Sequence, residues 1–488
     1  MPLFSLPSPY GIGTMGKCAY DFIDFLSSSG QKYWQILPLG PTSYGDSPYQ
    51  SLSSFAGNPY FIDLDFLVED GLLKKEDITS RFWGERPEKV DYGAIYSSRF
   101  DVLHKAFENG RERYASEIEA FRKEESSWLD DYTLFMALKR HFNMKGLSEW
   151  DDRKALSRDE ETLAKYRILL SEDIEFFTFL QFLFFRQWTQ LKAYAKGKGI
   201  SIIGDIPIYV APDSQDVWAD REMFQVDEEC VPDEVSGVPP DYFNHDGQLW
   251  GNPLYNWKKM KEDGYSWWKR RIEAQGKLYD ALRFDHFRGL ESYYTVKYGE
   301  KTARVGKWVK GPGRSFTDTL NAAFPDIRFT AEDLGYLTQE VIDLLRASGW
   351  PGMKVLQFAF DPREKGNWDP KDYPYNSVCF TGTHDNITLQ GWVDDPSNEE
   401  YADTAMKKLG VKRKKDLREA VIRYGMESSS FLMVVPMGDW LGLGKEARIN
   451  TPGTGSGNWT WRLDFFDSLS PALSEHIRGV SEKAGRNI

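Results

Sequence analysis

The sequence has few residues of the kinds that cross-link a fold or hold a metal ion. Its three cysteines, Cys18, Cys230 and Cys379, lie far apart without C-x-x-C spacing, and its six histidines are scattered. A disulfide framework or a zinc site is therefore not indicated, and we expect neither a metal nor a cofactor. This cysteine usage is typical of the reducing cytoplasm, where we expect the protein to reside.

Long apolar runs and a surplus of positive charge are also missing. The longest apolar run, Phe176–Phe185, contains Thr178 and Gln181 and is too short to span a bilayer. The first residues lack the basic and apolar segments of a signal peptide. Lys and Arg number 61 against 74 Asp and Glu, a net charge of −13. Nucleic acid and anionic membranes are therefore poor partners, and a neutral substrate fits better.

One short motif resembles a nucleotide-binding sequence. The segment "GIGTMG" at 11–16 matches the G-x-G-x-x-G fingerprint of dinucleotide-binding folds. That motif requires a full strand before it, whereas "SLPSPY" with its two prolines stands there. We therefore do not expect nucleotide binding.

Aromatic residues, in contrast, are abundant. They make up 15% of the chain, with 17 Trp and 25 Tyr. Most of them are expected in the core, and the remainder suggests flat surfaces on which sugar rings or bases can stack.

Short apolar segments, each ending in polar residues or glycine, recur along the chain and predict buried parallel strands. Seven of them lie at 33–40, 200–210, 281–289, 328–335, 352–360, 377–385 and 431–440. The segment between 335 and 352 has helical apolar spacing, as expected of a crossover helix. With a short strand at Leu3–Leu6, the count reaches eight. The fold class expected is thus α/β, a (β/α)8 TIM barrel with insertions.

Two gaps between the predicted strands are too long for a single crossover helix. Residues 65–189 carry helical patterns and are expected to form a mostly helical insertion subdomain. Residues 211–280 are rich in Pro, Gly and aromatic residues and are expected to be a loop-like, functional insertion. The barrel would then comprise 1–64 and 190–488.

Acidic residues lie at the ends of three predicted strands. They are Asp285 after "ALRF", Glu332 in "FTAED" and Asp385 in "TGTHD". Each has a structural interpretation: Asp285 as a partner of Arg283, and the other two as residues that favour or cap a helix start. In a barrel, however, the carboxyl ends of the strands share one rim, where active sites lie. We therefore favour a catalytic role for the three together.

Glycoside chemistry needs such a set of carboxylates. One attacks the anomeric carbon and must be ionised, which a neighbouring Arg favours by lowering its pKa. A second must be protonated to donate to the leaving oxygen, which requires a raised pKa. A third can hold sugar hydroxyls and favour distortion of the ring.

The motifs "RFDHFRG", "AEDLG" and "GTHDN", in this order, resemble those of strands 4, 5 and 7 in the α-amylase clan. Other segments are similar to one branch, the 4-α-glucanotransferase or amylomaltase family, over nearly the whole chain. They include "SLPSPYGIGTMG", "YWQILPLGPTSYGDSPYQSLSSFAGNPYFIDL", "GVPPDYFNHDGQLWGNPLYNW" and "NTPGTGSGNWTWR".

The resemblance implies a role for each matching residue. The nucleophile falls on Asp285, the acid/base on Glu332 and the stabiliser of the transition state on Asp385. The residues implied in binding or orienting the substrate are Arg283, His384, Asp213, Tyr49, Tyr242 and Phe243. The last two resemble a lid over the acceptor side. The implied donors and acceptors are α-1,4-glucans, maltooligosaccharides and glucose, with no nucleic acid, membrane or obligate protein partner.

Two departures from the wider clan bear on these expectations. Hydrolytic α-amylases typically end strand 3 with an Asn-His pair and often bind calcium, whereas "GDIPIYVAPD" stands here, which fits the transferase branch. The family usually has a full first strand before "SLPSPYGIG", where this chain has "MPLF". We therefore expect either a start upstream of Met1 or a first strand reduced to a stub.

Two alternatives to a transferase remain at this point. A hydrolase of the α-amylase type would use the same three carboxylates. A glucan-binding protein that kept the barrel would need no catalysis, but inactive relatives tend to lose one carboxylate and here all three are present. The motifs do not decide the ratio of transfer to hydrolysis, the preferred chain length or the oligomeric state.

Overall fold

The computed structural model describes residues 1–43, 45–240, 244–361 and 369–486. Eleven strands lie within these ranges: β1 (Tyr33–Gln35), β2 (Ser201–Ile206), β3 (Glu234–Val238), β4 (Gln248–Pro253), β5 (Ala281–Phe284), β6 (Ser292–Lys297), β7 (Gly306–Lys310), β8 (Arg328–Ala331), β9 (Gly352–Val355), β10 (Ser377–Phe380) and β11 (Leu432–Val434).

The α-helices of the described ranges lie before β1, between the strands and after β11. They are Lys17–Ser28, Leu64–Glu69, Lys75–Thr79, Tyr92–Gly110, Ala115–Glu124, Leu129–His141, Arg153–Leu156, Glu160–Leu169, Ser171–Gly197, Gln215–Ala219, Trp257–Glu262, Ser266–Leu278, Arg288–Glu291, Arg314–Ala323, Gln339–Ser348, Leu356–Ala359, Leu389–Asp394, Glu399–Leu409, Leu417–Met426, Met437–Leu441 and Pro471–Lys483. In this part of the chain, no helix is long and apolar enough to cross a membrane.

Seven parallel strands form the centre of the fold and confirm the seven predicted from apolar segments. They pair in the order β1-β2-β5-β8 and, in a second sheet, β9-β10-β11. The Ala331 N–H donates to the Pro351 carbonyl at 2.8 Å, which joins the two sheets at the β8–β9 boundary. The chain order of neighbouring parallel strands is that of a (β/α)8 barrel. The crossover helix predicted between 335 and 352 is Gln339–Ser348, and it ends at Gly349 with φ 73°.

The strand expected at Leu3–Leu6 is wrong. Leu3–Ser5 forms a 3-10 helix, and a cleft of about 640 Å³ separates β1 from β11. Met1 lines this cleft, its carbonyl accepts a hydrogen bond from the Trp34 indole at 2.7 Å, and burial lowers the pKa of its amino group to about 5. Leu3 and Phe4 are buried against the core rather than paired in a ladder. Two edges of the parallel series therefore face each other across the cleft without pairing in the described residues.

The insertion at 211–280 is more regular than a loop. Its strands β3 and β4 pair antiparallel, and β3 also pairs with β6, which follows β5 in the chain. Together with β7 they form the order β4-β3-β6-β7. Pairing with a strand so distant in sequence leaves no local signal, which explains why a Pro- and Gly-rich segment was expected to be a loop.

Helices fill the stretch expected to be a helical insertion. The last of them, Ser171–Gly197, runs beyond residue 189 and leads directly into β2. Its apolar side chains, such as Phe184 and Trp188, belong to the same buried cluster as Trp34 of β1 and Leu282 of β5. The helical segment is thus packed onto the strands through a continuous core, and its division into a separate subdomain stays a proposal.

A strand that occupies the cleft should stabilise the fold, because it would satisfy backbone groups on both edges. We expect a fused extension before Met1, of about six residues with alternating apolar side chains, to raise the Tm by about 2 °C or more. An extension of the same length made of Gly and Ser serves as the control. Equal Tm values for both extensions in a thermal unfolding experiment would contradict this prediction.

Candidate active site

The predicted catalytic residues lie where parallel strands end. Asp285 directly follows β5, and Glu332 directly follows β8, the strand paired with it. Asp385 lies in the turn after β10. The backbone ties the first two together, since Glu332 N–H donates to the Phe284 carbonyl and Phe287 N–H donates to the Glu332 carbonyl, both at 2.9 Å.

A left-handed residue places the Glu332 carboxylate beside Asp285. His286 has φ 48°, an uncommon conformation for a residue with a side chain. Its N–H donates to Glu332 Oε2 at 2.9 Å, and the Leu334 N–H donates to Oε1 at 2.8 Å. The carboxylate of Glu332 is thereby held against the backbone that directly follows Asp285.

Arg283 is the cation of this centre, and Asp205 is its strongest partner. Arg283 Nη1 lies 2.7 and 2.6 Å from the two carboxylate oxygens of Asp205, and 3.1 Å from Asp285 Oδ1. The side chains of Arg283 and Asp205 are 5% and 0% exposed, so this is a buried ion pair. Sequence reasoning had paired Arg283 with Asp285 and missed Asp205. The signal was present, because Asp205 is a charged residue near the end of the apolar segment "ISIIGDI".

Asp285 and Glu332 are buried beside a single cation, and the pKa of each is raised. Burial raises the pKa of Asp285, with the nearby carboxylates of Asp205, Glu332 and Asp385 acting in the same direction and Arg283 opposing. Burial likewise raises the pKa of Glu332 against the Arg283 charge and the two backbone N–H groups. The expectation that Arg283 alone lowers the pKa of Asp285 is therefore incomplete. The pair formed by Asp285 and Glu332 is arranged to share a proton.

Tyr49 and His384 form an aromatic wall next to this centre. The Tyr49 hydroxyl donates to Asp205 Oδ2 at 2.8 Å, and the ring stacks on His384 with centroids 5.1 Å apart. His384 Nε2 lies 3.4 Å from Asp385 Oδ1, and burial lowers the pKa of His384, so that the neutral imidazole is favoured. The structure thus brings Tyr49 and His384 close to the carboxylates, and the roles of these residues stay a prediction.

Asp385 is held by a loop that sequence reasoning had not assigned to the site. The Asn450 side chain donates to Asp385 Oδ1 at 2.6 Å, and Arg448 Nη2 donates to the Asp385 carbonyl at 2.7 Å. Asp385 remains 44% exposed, so one side of it is open to solvent or to a ligand.

Asp213 does not join this cluster. Its carboxylate pairs with Lys139 Nζ at 2.5 Å and accepts from the Leu147 N–H at 3.2 Å, which links the segment after β2 to the helical stretch. With both oxygens engaged by protein donors, a substrate-binding role for Asp213 has no support from its contacts. Asp205 is the aspartate of that segment which reaches the site.

The acceptor side of the site is described only in part. Tyr242 and Phe243 lie outside the described residues, so their expected role as a lid stays a prediction. Trp250 of β4 packs edge-on against His286, with ring centroids 4.7 Å apart. Aromatic surface from the antiparallel sheet therefore reaches the residue that follows Asp285, which the sequence pattern had not singled out.

In the described ranges, no group of three or more His, Cys, Asp or Glu side chains is arranged to hold a metal ion. The side chains gathered at the site are carboxylates, the guanidinium of Arg283, the imidazole of His384 and the hydroxyl of Tyr49. Paired carboxylates of unequal protonation can perform nucleophilic attack and proton transfer at an acetal carbon.

Comparisons with known proteins agree on one family. A family model described as 4-alpha-glucanotransferase matches residues 1–468. The 4-alpha-glucanotransferase of Clostridium butyricum is 48% identical over 463 residues, which cover 95% of each chain. That of Streptococcus pneumoniae is 44% identical over 485 residues, covering 98% of this chain and 94% of the relative. The solved amylomaltase of Streptococcus agalactiae, in complex with acarbose, superposes with a TM-score of 0.95 at 40% identity, covering 100% of this chain and 98% of that one.

The buried Asp205–Arg283 pair should dominate the electrostatic stability of this centre. Asp205→Asn leaves a buried guanidinium short of its closest counter-charge, and we expect a loss of about 3–5 kcal/mol in the free energy of unfolding. Asp385→Asn is the matched control, because it removes a half-exposed charge from a cluster with excess negative charge and should change stability by less than about 1 kcal/mol. Chemical denaturation measures both, and equal losses would contradict the assignment of Asp205.

Proposed function

The chain belongs to the 4-alpha-glucanotransferase family, and on this premise we propose that Asp285, Glu332 and Asp385 carry its reaction. The protein is a 4-α-glucanotransferase: it moves a segment of an α-1,4-glucan to the 4-hydroxyl of an acceptor glucose or glucan. The proposal concerns which residues do this and how. It is carried by the position of Asp285 and Glu332 at the ends of two paired strands beside Arg283, with Asp385 near enough for its charge to act on Asp285.

In the first half of the reaction, Asp285 attacks the anomeric carbon of the donor. The glycosidic bond breaks as a covalent glucosyl ester forms on Asp285, and Glu332 gives its proton to the departing 4-oxygen. Arg283 lies 3.1 Å from Asp285 Oδ1, and we propose that this contact keeps the negative charge on Asp285 when a donor binds. The proton of the pair is then carried by Glu332, as this step requires.

In the second half, Glu332 acts as the base. It takes the proton of an acceptor 4-hydroxyl, whose oxygen attacks the anomeric carbon and releases Asp285. Each cycle breaks one α-1,4 bond and makes another, with retention of configuration. Asp385, held by Asn450, and the stacked pair of Tyr49 and His384 are proposed to hold the sugar at the reacting carbon.

The proposal also covers the substrates of the protein, its barrel architecture and its location. We propose maltooligosaccharides and glucose as its substrates, since the related amylomaltase was solved with acarbose. We propose from the order of the seven parallel strands that they belong to a (β/α)8-type barrel that is open between β1 and β11. A cytoplasmic location is proposed from the widely spaced cysteines.

The role of Glu332 can be separated from that of Asp285 by the choice of leaving group. For Glu332→Gln we expect transfer from maltotriose to fall by about 10³-fold, because the leaving oxygen then departs without a proton. Fluoride release from α-maltosyl fluoride should fall far less, because fluoride needs no protonation. Asp285→Asn is the comparison and should lose activity on both donors. Equal losses of Glu332→Gln on the two donors would contradict the acid role.

Maltotriose alone distinguishes transfer from hydrolysis. The enzyme should convert it into glucose and a ladder of longer maltodextrins without added metal, while total reducing ends stay nearly constant. Chromatography of the products and a reducing-end assay measure the two quantities in one time course. A hydrolase would raise the reducing ends in step with the loss of maltotriose, and a binding protein would leave the sugar unchanged.

A further inference from the structure

Trp459 has a backbone conformation that a bulky residue rarely adopts. Its φ is 61°, in the left-handed region, and its side chain is buried. Such a conformation persists only where the surroundings impose it, and these outliers cluster at functional sites. The contacts of its backbone and of its indole show what holds Trp459 in this conformation.

Hydrogen bonds from outside the turn fix both backbone groups of Trp459. Its N–H donates to the Ile449 carbonyl at 2.7 Å, and its carbonyl accepts from the Tyr92 hydroxyl at 2.8 Å. The first bond closes the neck of the loop between 449 and 459. The second anchors the neck to the helix Tyr92–Gly110. The peptide planes on the two sides of Trp459 are therefore held by Ile449, at the other end of the same loop, and by Tyr92 of a helix far away in the chain.

The indole that results from this backbone lies against the aromatic wall of the active site. Its centroid is 5.8 Å from that of Tyr49 and 5.9 Å from that of His384. Those two rings are themselves stacked at 5.1 Å. The three rings form a cluster in which Trp459 contacts both members of the pair, so its removal would leave room for both to move.

The same loop also controls the third carboxylate. Asn450, next to the neck, donates to Asp385 Oδ1 at 2.6 Å, and its N–H donates to the His384 carbonyl at 3.0 Å. The Asn458 side chain accepts from the Thr451 N–H at 2.9 Å and holds the two ends of the loop together. One end thus orients Asp385 and the other end orients Tyr49 and His384.

We infer that Trp459 is a positioning residue for glucan transfer. Its left-handed backbone directs the indole against Tyr49 and His384 and fixes these side chains where the sugar at the cleavage point must bind. This inference rests on the proposed function of the site, because it assigns to Trp459 an effect on substrate through other residues. The competing interpretation is that Trp459 only fills the core.

Trp461 provides a matched control for that alternative. It is buried to a similar degree, two residues further along the chain, and among the described residues it has no ring contact with Tyr49 or His384. Truncation of either indole to Ala removes the same side-chain volume. If Trp459 only fills the core, Trp459→Ala and Trp461→Ala should change the kcat/KM and the acarbose Kd of the folded protein to a similar extent.

The experiment measures transfer from maltotriose and, by calorimetry, the binding of acarbose. In calorimetry a smaller folded fraction lowers the apparent stoichiometry but leaves the Kd of the folded protein unchanged. For Trp459→Ala we expect kcat/KM to fall by about 100-fold, since small misplacements carry losses of this size, and the Kd for acarbose to rise at least tenfold. Trp459→Phe should restore most of both. Trp461→Ala should lower the Tm but leave Kd within about threefold.

An unchanged acarbose Kd in Trp459→Ala, or an equal rise in Trp461→Ala, would overturn the inference. If Trp459→Ala does not fold, Trp459→Leu, which keeps part of the apolar volume without an aromatic ring, takes its place with the same expected rise in Kd. A wild-type protein that yields no ladder from maltotriose would instead overturn the proposed function, so the two failures are distinguishable.

Discussion

The buried charge of Arg283 is the constraint on which the rest of the site depends. A guanidinium that is 5% exposed requires a counter-charge at contact distance, and Asp205 supplies it with both oxygens. Because Asp205 already compensates Arg283, the attraction left for Asp285 is weaker than a simple pair would give. Burial and the neighbouring carboxylates then raise the pKa of Asp285 and of Glu332 together. Burial, with neighbouring carboxylates acting in the same direction, therefore favours the protonated form of this pair, and acid catalysis needs a protonated carboxyl group.

Three neighbouring strands hold these charged side chains close together at fixed positions. Asp205, Arg283, Asp285 and Glu332 lie in or directly after three neighbouring parallel strands, β2, β5 and β8. Ladder hydrogen bonds fix the relative heights of these strands, as in the pairing of Arg283 with Asp205 across β5 and β2. A side chain on such a scaffold keeps its position when the charge around it changes, which a side chain on a loop would not do.

Loops complete what the strands begin. Tyr49 comes from the segment after β1, Asp385 and His384 from the turn after β10, and Asn450 and Trp459 from the loop near the chain's end. These parts meet through hydrogen bonds and ring contacts over several hundred residues of separation, as in the Tyr49–His384 stack. The side chains proposed to hold sugar therefore depend on the closure of the whole fold rather than on any local segment.

The pattern of apolar and charged residues was enough to predict seven parallel strands and to nominate the carboxylates at their ends. Continuous apolar segments are typical of strands that are buried on both faces, so seven of the eight expected strands could be predicted from pattern alone. A buried carboxylate at the end of such a segment needs a partner. The local pattern could not decide which partner. Arg283 makes its shortest contacts with Asp205 rather than with Asp285. Asp213 pairs with Lys139 outside the site. Leu3–Ser5 forms a 3-10 helix, whereas the pattern predicts a strand there. Likewise, the antiparallel pairing of β3 with β6 and the contact of Trp459 with His384 join residues far apart in the chain. Local pattern cannot predict such contacts, because the groups that form them come together only when distant parts of the chain fold against each other.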